Sequence, residues 1–265
     1  MYSSAQLAFK YLQYWFTASN GKGHGVHSPF VFDFITKVML DKHHYDEYNI
    51  VELLRKDLLN NHEEIQVKDF GAGSAVDKTG HRQVASIAKN AAKSKRFGQL
   101  LFRMVRYYKS STILELGTSL GITTSYLSLA NAESAVTTME GAPAIASLAK
   151  RNFEKLGFKN IKIIEGNFDE TLSSVMDNLK GIDFAFVDGN HRFEPTIGYF
   201  DTIIKNINSH SIIVIDDIHW SADMEKAWQV IKNHESVQCS IDLFFIGIVF
   251  FREEFHEKQH FTIRF

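Results

Sequence analysis

TILELGTSLGITTSYLSLA, residues 112–130, reads as a short apolar strand, a turn punctuated by Gly117 and Gly121, and a helix. The glycines let the backbone turn sharply and approach a ligand closely. Their spacing is neither the GxGxxG of dinucleotide-binding turns nor the GxxxxGK[ST] of phosphate-binding loops. Downstream, AVTTME (135–140), IKIIEG (161–166), IDFAFVD (182–188) and SIIVIDD (211–217) repeat the theme, with helical stretches between them. Such alternation predicts a parallel sheet with crossover helices, an α/β fold. CSIDLF (239–244) and IGIVFFR (246–252), with only Phe245 between them, predict an antiparallel pair, and HFTIRF (260–265) an edge strand. In open α/β sheets ligands bind beyond the carboxyl ends of the strands, so chemistry is expected just after each one.

Upstream of residue 110 the periodicity is mostly helical, which divides the chain into 1–109 and 110–265. Residues 1–19 suit an amphipathic helix that packs on the body or on a partner chain. Ser28-Pro29 predicts an N-cap and first helical position for FVFDFITKVML. Further helices are expected over 48–59, 83–93 and 97–108, and a strand over IQVKDF, 65–70.

The 265 residues are 45% hydrophobic and carry a formal net charge of -2, which excludes a disordered chain and a strongly basic nucleic-acid footprint. The longest apolar run, Leu243 to Phe251, is about half of the ~18 residues a membrane span needs. The N-terminus lacks a basic start, so no signal peptide is expected. Cys239, the only cysteine, allows neither an internal disulfide nor a cysteine-based zinc site and suits a reducing cytoplasm.

Glu115-Leu116-Gly117-Thr118-Ser119-Leu120-Gly121, an acid two residues before Gly-x-x-x-Gly, resembles motif I of class I S-adenosylmethionine-dependent methyltransferases. The resemblance covers about residues 95 to 252. It implies a Rossmann-like class I methyltransferase sheet, mostly parallel with an antiparallel strand near the C-terminus, and a mainly helical N-terminal cap. It implies S-adenosylmethionine as cofactor, held by Glu115, Gly117, Thr118, Ser119 and Gly121. Glu140 ends the second strand, where a ribose-binding acid belongs, with Gly141 beside it. Gly166, Asn167 and Phe168 stand where the family holds the adenine, and Asp188 is a further cofactor candidate.

Asp188-Gly189-Asn190-His191 and Asp216-Asp217-Ile218-His219-Trp220 close the fourth and fifth strands. Oxygen-rich sites suit hard cations such as Mg²⁺. The pattern is similar to the cation-dependent O-methyltransferases of the catechol and caffeoyl-coenzyme A kind, whose Asp, Asp-Asn pair and Trp correspond to Asp188, Asp216-Asp217 and Trp220. The Phe97-Gly98-Gln99 stretch resembles the segment leading into their first strand. That likeness implies Asp188, Asp216 and Asp217 as metal ligands, and His219 and Trp220 as substrate contacts. Those enzymes carry a lysine base where His191 stands. Sugar-hydroxyl methyltransferases of the macrocin type carry a histidine there, which implies His191 as the general base. Asp217 in place of Asn makes the cage more anionic and favours a neutral small-molecule hydroxyl as acceptor.

Other readings stay open. Asp188 can serve the cofactor while its neighbours cap a helix, which gives a metal-independent methyltransferase acting on nitrogen or carboxylate. The chain can also be a cofactor-binding module with a protein partner. The absence of an Asn/Asp-Pro-Pro-aromatic motif after the fourth strand speaks against DNA bases. A homodimer contact through the N-terminal helices is a further expectation. The glycine-rich loop Asp69–Ser74 is read as a structural turn, and His24 and His27 as flanking a turn or lid.

Overall fold

A computed structural model of the chain describes residues 1–23, 26–67, 80–91 and 93–265. His24, the Asp69–Ser74 loop and residues 68–70 of the expected early strand lie outside the described residues. Contacts divide the chain into two compact units, Met1–Asp41 with Leu172–Phe265, and Lys42–Thr171.

The first unit opens with α1 (Ser4–Thr17), capped reciprocally: the Gln6 amide donates to the Ser3 hydroxyl and the Ser3 amide to the Gln6 side chain. Helix α2 (Pro29–Asp33) starts at the expected proline. Ser28 makes no side-chain cap bond, however, and the helix widens into π winding over Phe34–Met39, where the Leu40 amide donates to the Ile35 carbonyl (2.9 Å). The wider turn puts Phe34, Ile35, Val38 and Met39 all inside.

The second unit contains α3 (Glu47–Leu59), the antiparallel pair β1 (Glu64–Gln66) and β2 (His81–Gln83), α4 (Val84–Ala91) and α5 (Lys95–Tyr108). Next come β3 (Thr112–Leu116), α6 (Ile122–Ala130), β4 (Ala135–Glu140), α7 (Pro143–Lys155) and β5 (Ile161–Glu165), and α8 (Phe168–Asn178) begins at its end. Strands β3, β4 and β5 are parallel neighbours, with Glu115 opposite Thr138 and Glu140 opposite Glu165. Burial of Ile113, Leu114 and Leu116 explains the near-continuous apolar run of β3. Gly98 lies inside α5 because α6 crosses there: a Cβ at 98 would meet the Tyr126 ring at 2.6 Å. Tyr126 in turn donates to Glu52 of α3 (2.7 Å).

The first unit resumes with β6 (Ile182–Val187), α9 (Phe193–Ile203), β7 (Ile207–Asp216), α10 (Ala222–Asn233), β8 (Cys239–Asp242), β9 (Ile246–Phe250) and β10 (Gln259–Thr262). Its strands run in the order β10-β8-β9-β7-β6. Strand β7 is parallel to β6, and β9 is antiparallel to both β7 and β8. The expected antiparallel pair is therefore present, and β10 is an edge strand parallel to β8. Helix α1 belongs to this unit. Tyr11 and Tyr14 pack on Phe244 (5.1 and 5.3 Å between ring centroids), Tyr14 donates to the Ile263 carbonyl, and Ser19 bridges to Ile263.

These elements are a mixed α/β fold with a mostly parallel sheet, as the strand pattern predicted. No helix among the described residues is long and apolar enough to cross a membrane. The residues before 110 are mainly helical, 1–41 counting with one unit and 42–109 with the other.

Candidate active site

In the second unit the candidate ligand-binding loop follows β3. Gly117 and Gly121 have φ of 103° and 82°, and Ser119 joins them at 48°. The backbone is left-handed at three positions of five, which explains why the turn needs glycine twice. Gly121 carries a second constraint, since a Cβ there would meet the Phe153 ring at 2.4 Å. Its absence of a side chain serves packing against α7.

Glu115 is fully buried. Its Oε2 accepts from Thr138 (2.6 Å) and Thr124 (2.5 Å), which pins β3 to β4 and to the start of α6. Thr118 is buried as well, its hydroxyl 2.6 Å from that of Thr138. Glu115 and Thr118 thus shape the loop from inside. Glu140 is half-buried at the end of β4. Its two oxygens accept from the backbone amides of Ser119 (2.8 Å) and Ala142 (2.9 Å), the latter one residue past Gly141. A carboxylate oxygen has two lone pairs, so a carboxylate oriented by the loop is of the type that accepts from hydroxyls. The Gly166 amide donates to the Glu140 carbonyl, and Asn167 starts α8 by accepting from the Asp169 amide, with Phe168 next to it and half-buried.

In the first unit the parallel strands β6 and β7 end side by side. Asp188, His191 and Asp216 each offer a donor atom, and these all lie within 4.8 Å of one another. His191 Nε2 is 3.4 Å from Asp188 Oδ1. Asn190 and His191 have φ of 67° and 40°, a tight left-handed turn that folds His191 back over Asp188. Asp216 is fully buried. A buried carboxylate close to a second one is costly unless positive charge joins them, so the donor set fits a hard divalent cation.

Asp217 does not join this group. Its φ is 52°, its amide donates to the Phe245 carbonyl (2.7 Å) and its carbonyl accepts from Trp220 (2.9 Å), so it turns the chain. The Trp220 ring lies 5.7 Å from that of His191. His219 points elsewhere, with Nδ1 3.0 Å from Glu225 and Nε2 2.8 Å from Asp242, the ring stacked on Phe244. Burial alone would lower its pKa, but the two carboxylates outweigh burial and hold it above the ordinary value.

Glu225 is the centre of a clamp that the sequence did not disclose. It also accepts from Tyr2 (2.8 Å) and from Lys10 (2.9 and 3.0 Å), and the Tyr2 amide donates to the Trp220 carbonyl (3.1 Å). The start of α1 is thereby tied to the loop that follows Asp216. The partners lie more than 200 residues apart in the chain, so no local pattern could have revealed them.

Residues 114–218 match a family described as a methyltransferase domain. A curated relative from Sulfolobus acidocaldarius, "Probable cobalt-precorrin-6B C(15)-methyltransferase (decarboxylating)", is 29% identical over 120 residues, which are 45% of this chain and 59% of that one. The chain spans less than two thirds of each curated relative it matches, 29% of one and 59% of the other. Among solved structures, the SAH-bound methyltransferase PaMTH1 of Podospora anserina superposes with a TM-score of 0.58 at 15% identity, over 85% of this chain and 97% of that one. The O-methyltransferase of Bacillus cereus in complex with SAH gives 0.56 at 17% identity, over 83% and 97%. The fold is that of the class I methyltransferases.

Proposed function

From the methyltransferase domain of residues 114–218, we propose that this chain transfers a methyl group from S-adenosylmethionine to a hydroxyl of a small molecule, assisted by a divalent cation such as Mg²⁺. One observation carries the choice of chemistry: the gathering of Asp188, His191 and Asp216 within 4.8 Å where β6 and β7 end. When bound, S-adenosylmethionine supplies the methyl on a sulfonium, and the cation makes the acceptor hydroxyl a stronger acid.

The residues divide the remaining work. Glu140, oriented by the Ser119 and Ala142 amides, accepts from the ribose hydroxyls. Gly117 leaves room for the cofactor, Gly166, Asn167 and Phe168 border the adenine, and Glu115 and Thr118 position the loop. Asp188 and Asp216 hold the cation by oxygen. His191 takes the acceptor's proton at Nε2. In-line attack on the methyl then depends on positioning, which Trp220, its carbonyl bonded to the Tyr2 amide, supplies. The buried Cys239 thiol, pushed up to about 12 by burial, stays protonated and inert, in keeping with a reducing cytoplasm.

The reading is tested with labelled S-adenosylmethionine and a library of neutral hydroxyl compounds. Turnover should vanish on chelation and return with Mg²⁺. Turnover that persists undiminished in chelator would select the metal-independent nitrogen or carboxyl methyltransferase instead. Tight cofactor binding without turnover on any acceptor would select a binding module.

A further inference from the structure

Trp220 is half-buried, its ring 5.7 Å from that of His191 and tilted to it by 58°. It sits in the short connection 217–221, between the end of β7 and the start of α10. Three neighbours fix where it can go. Before it, His219 is gripped at both ring nitrogens, by Glu225 (3.0 Å) and by Asp242 (2.8 Å). After it, the Ser221 hydroxyl caps α10 by accepting from the Met224 amide (3.1 Å), and the Ser221 carbonyl accepts from the Glu225 amide (3.0 Å). Its own carbonyl accepts from the Tyr2 amide (3.1 Å), and Tyr2 donates its hydroxyl to Glu225 (2.8 Å). Glu225 is the partner common to all three.

Charge explains why a carboxylate stands there. Ionised carboxylates only accept, so a His219 ring with a carboxylate at each nitrogen donates from both and is a cation. Glu225 and Asp242 then balance His219 and Lys10, two negative charges against two positive. Glu225 is the member that bonds to both cations. Burial would raise its pKa, yet the bonds from Lys10, His219 and Tyr2 hold it below the ordinary value. None of the four side chains is more than 30% exposed. Ion pairs shielded to this degree add little over apolar packing of the same volume. The cluster is better accounted for by what it orients than by the stability it adds.

We infer that Glu225 is a positioning residue for the methyl acceptor: by holding His219, Ser221 and Tyr2 together, it sets the Trp220 ring beside His191. The inference rests on the methyl-transfer reading given above. In that reading the acceptor hydroxyl gives its proton to His191, so the ring beside His191 is a wall of the space the acceptor enters. Glu225 acts through that wall and needs no contact with the reacting atoms. A wall displaced by about 1 Å costs orientation, and with it on the order of 10²-fold in rate.

Two measurements on the full chain test this. Fluorotryptophan incorporation gives one fluorine NMR line for each of Trp15, Trp220 and Trp228, and Trp220→Phe identifies the Trp220 line. Glu225→Ala should shift that line, while the line of Trp228, buried on the same helix, stays in place. The second measurement uses labelled S-adenosylmethionine and the neutral hydroxyl compound turned over fastest in the library. Glu225→Ala should lower kcat/KM by roughly 10²-fold, with S-adenosylhomocysteine affinity little changed by calorimetry. In a Trp220→Ala background the same substitution should cost no more than about 2-fold, because the wall it holds is gone. If Glu225→Ala does not fold, Glu225→Gln, which keeps the size of the side chain and one accepting oxygen, carries both measurements. An unmoved Trp220 line overturns the inference. So does an equal loss of kcat/KM in both backgrounds, which is what a carboxylate that only stabilises the fold would give. A chain that turns over no hydroxyl compound refutes the methyl-transfer reading instead, and the fluorine line still decides whether Glu225 places Trp220.

Discussion

Gly121→Ala asks whether the second glycine of the motif is fixed by ligand or by packing. The added Cβ would lie 2.4 Å from Phe153 Cε1 and 2.7 Å from Cζ, where carbon atoms in contact keep about 3.5–4.0 Å. The ring must therefore retreat by roughly 1 Å. It has little freedom to do so, being 5% exposed and set edge-on to Phe158 at 6.2 Å. Overpacking of this kind costs about 1–3 kcal/mol. The φ of 82° adds about 1 kcal/mol for any residue with a Cβ. Unfolding in urea should then show a loss of roughly 2–4 kcal/mol. Phe153→Leu removes the two clashing ring atoms, so in that background the same substitution should cost only the backbone part, about 1 kcal/mol. S-adenosylmethionine affinity of the folded variant should stay within a few-fold of wild type, because the new methyl points at Phe153. A single variant that loses less than about 1 kcal/mol, or a cycle without coupling between 121 and 153, would refute the packing account.

Other outcomes follow from the same geometry. Gly117→Arg should abolish cofactor binding with the sheet still folded, and calorimetry showing unchanged affinity would sink the motif assignment. Glu140→Ala should weaken S-adenosylmethionine binding by about 1–3 kcal/mol, read by the same titration. His191→Ala should lower kcat by about 10²–10⁴ with cofactor affinity little changed, as steady-state kinetics and calorimetry would show. Stability should also respond to His219. Its folded pKa lies above the unfolded value of about 6.5, so its contribution is full below that pH and disappears as pH rises through the folded value. Urea midpoints of wild type and His219→Gln should therefore converge on going from about pH 6 to pH 9, and a constant gap would contradict a charged clamp.

Most of the sheet was legible because its strands advertise themselves. TILEL and AVTTME occupy β3 and β4 residue for residue, and β5 and β6 each end one residue early. Burial on both faces demands unbroken apolar runs, which a single sequence displays. Where pairing and not composition makes the strand, the reading fell short. His81–Gln83 is polar and exists as β2 only opposite Glu64–Gln66. Strand β7 begins at Ile207, four residues before the expected SIIVIDD, in a polar stretch held by the Ser211 hydroxyl to the Ile182 carbonyl. At the site, spacing along one strand end placed Asp188 and His191 together, and parallel β6 and β7 brought Asp216 to them. Spacing gives residues but not directions. Asp217 comes directly after Asp216 and His219 two residues later, yet the chain makes a left-handed turn at 217 and His219 bonds to Glu225 and Asp242.

The unit that carries Asp188, His191 and Asp216 is discontinuous in the chain: Met1–Asp41 is made before the other unit, Lys42–Thr171, and Leu172–Phe265 after it. During synthesis α1 must wait, with Tyr11 and Tyr14 lacking Phe244 and Lys10 lacking Glu225, until residues 225–244 have been made. The continuous segment Lys42–Thr171, by contrast, holds its own parallel strands and can assemble in the interval. A nascent chain stalled before residue 244 would therefore display both faces of α1, apolar on each side, and would be the species most exposed to chaperones and to aggregation. Translation speed across the codons for residues 172–265 thus becomes a determinant of yield, through a helix encoded more than 150 residues upstream.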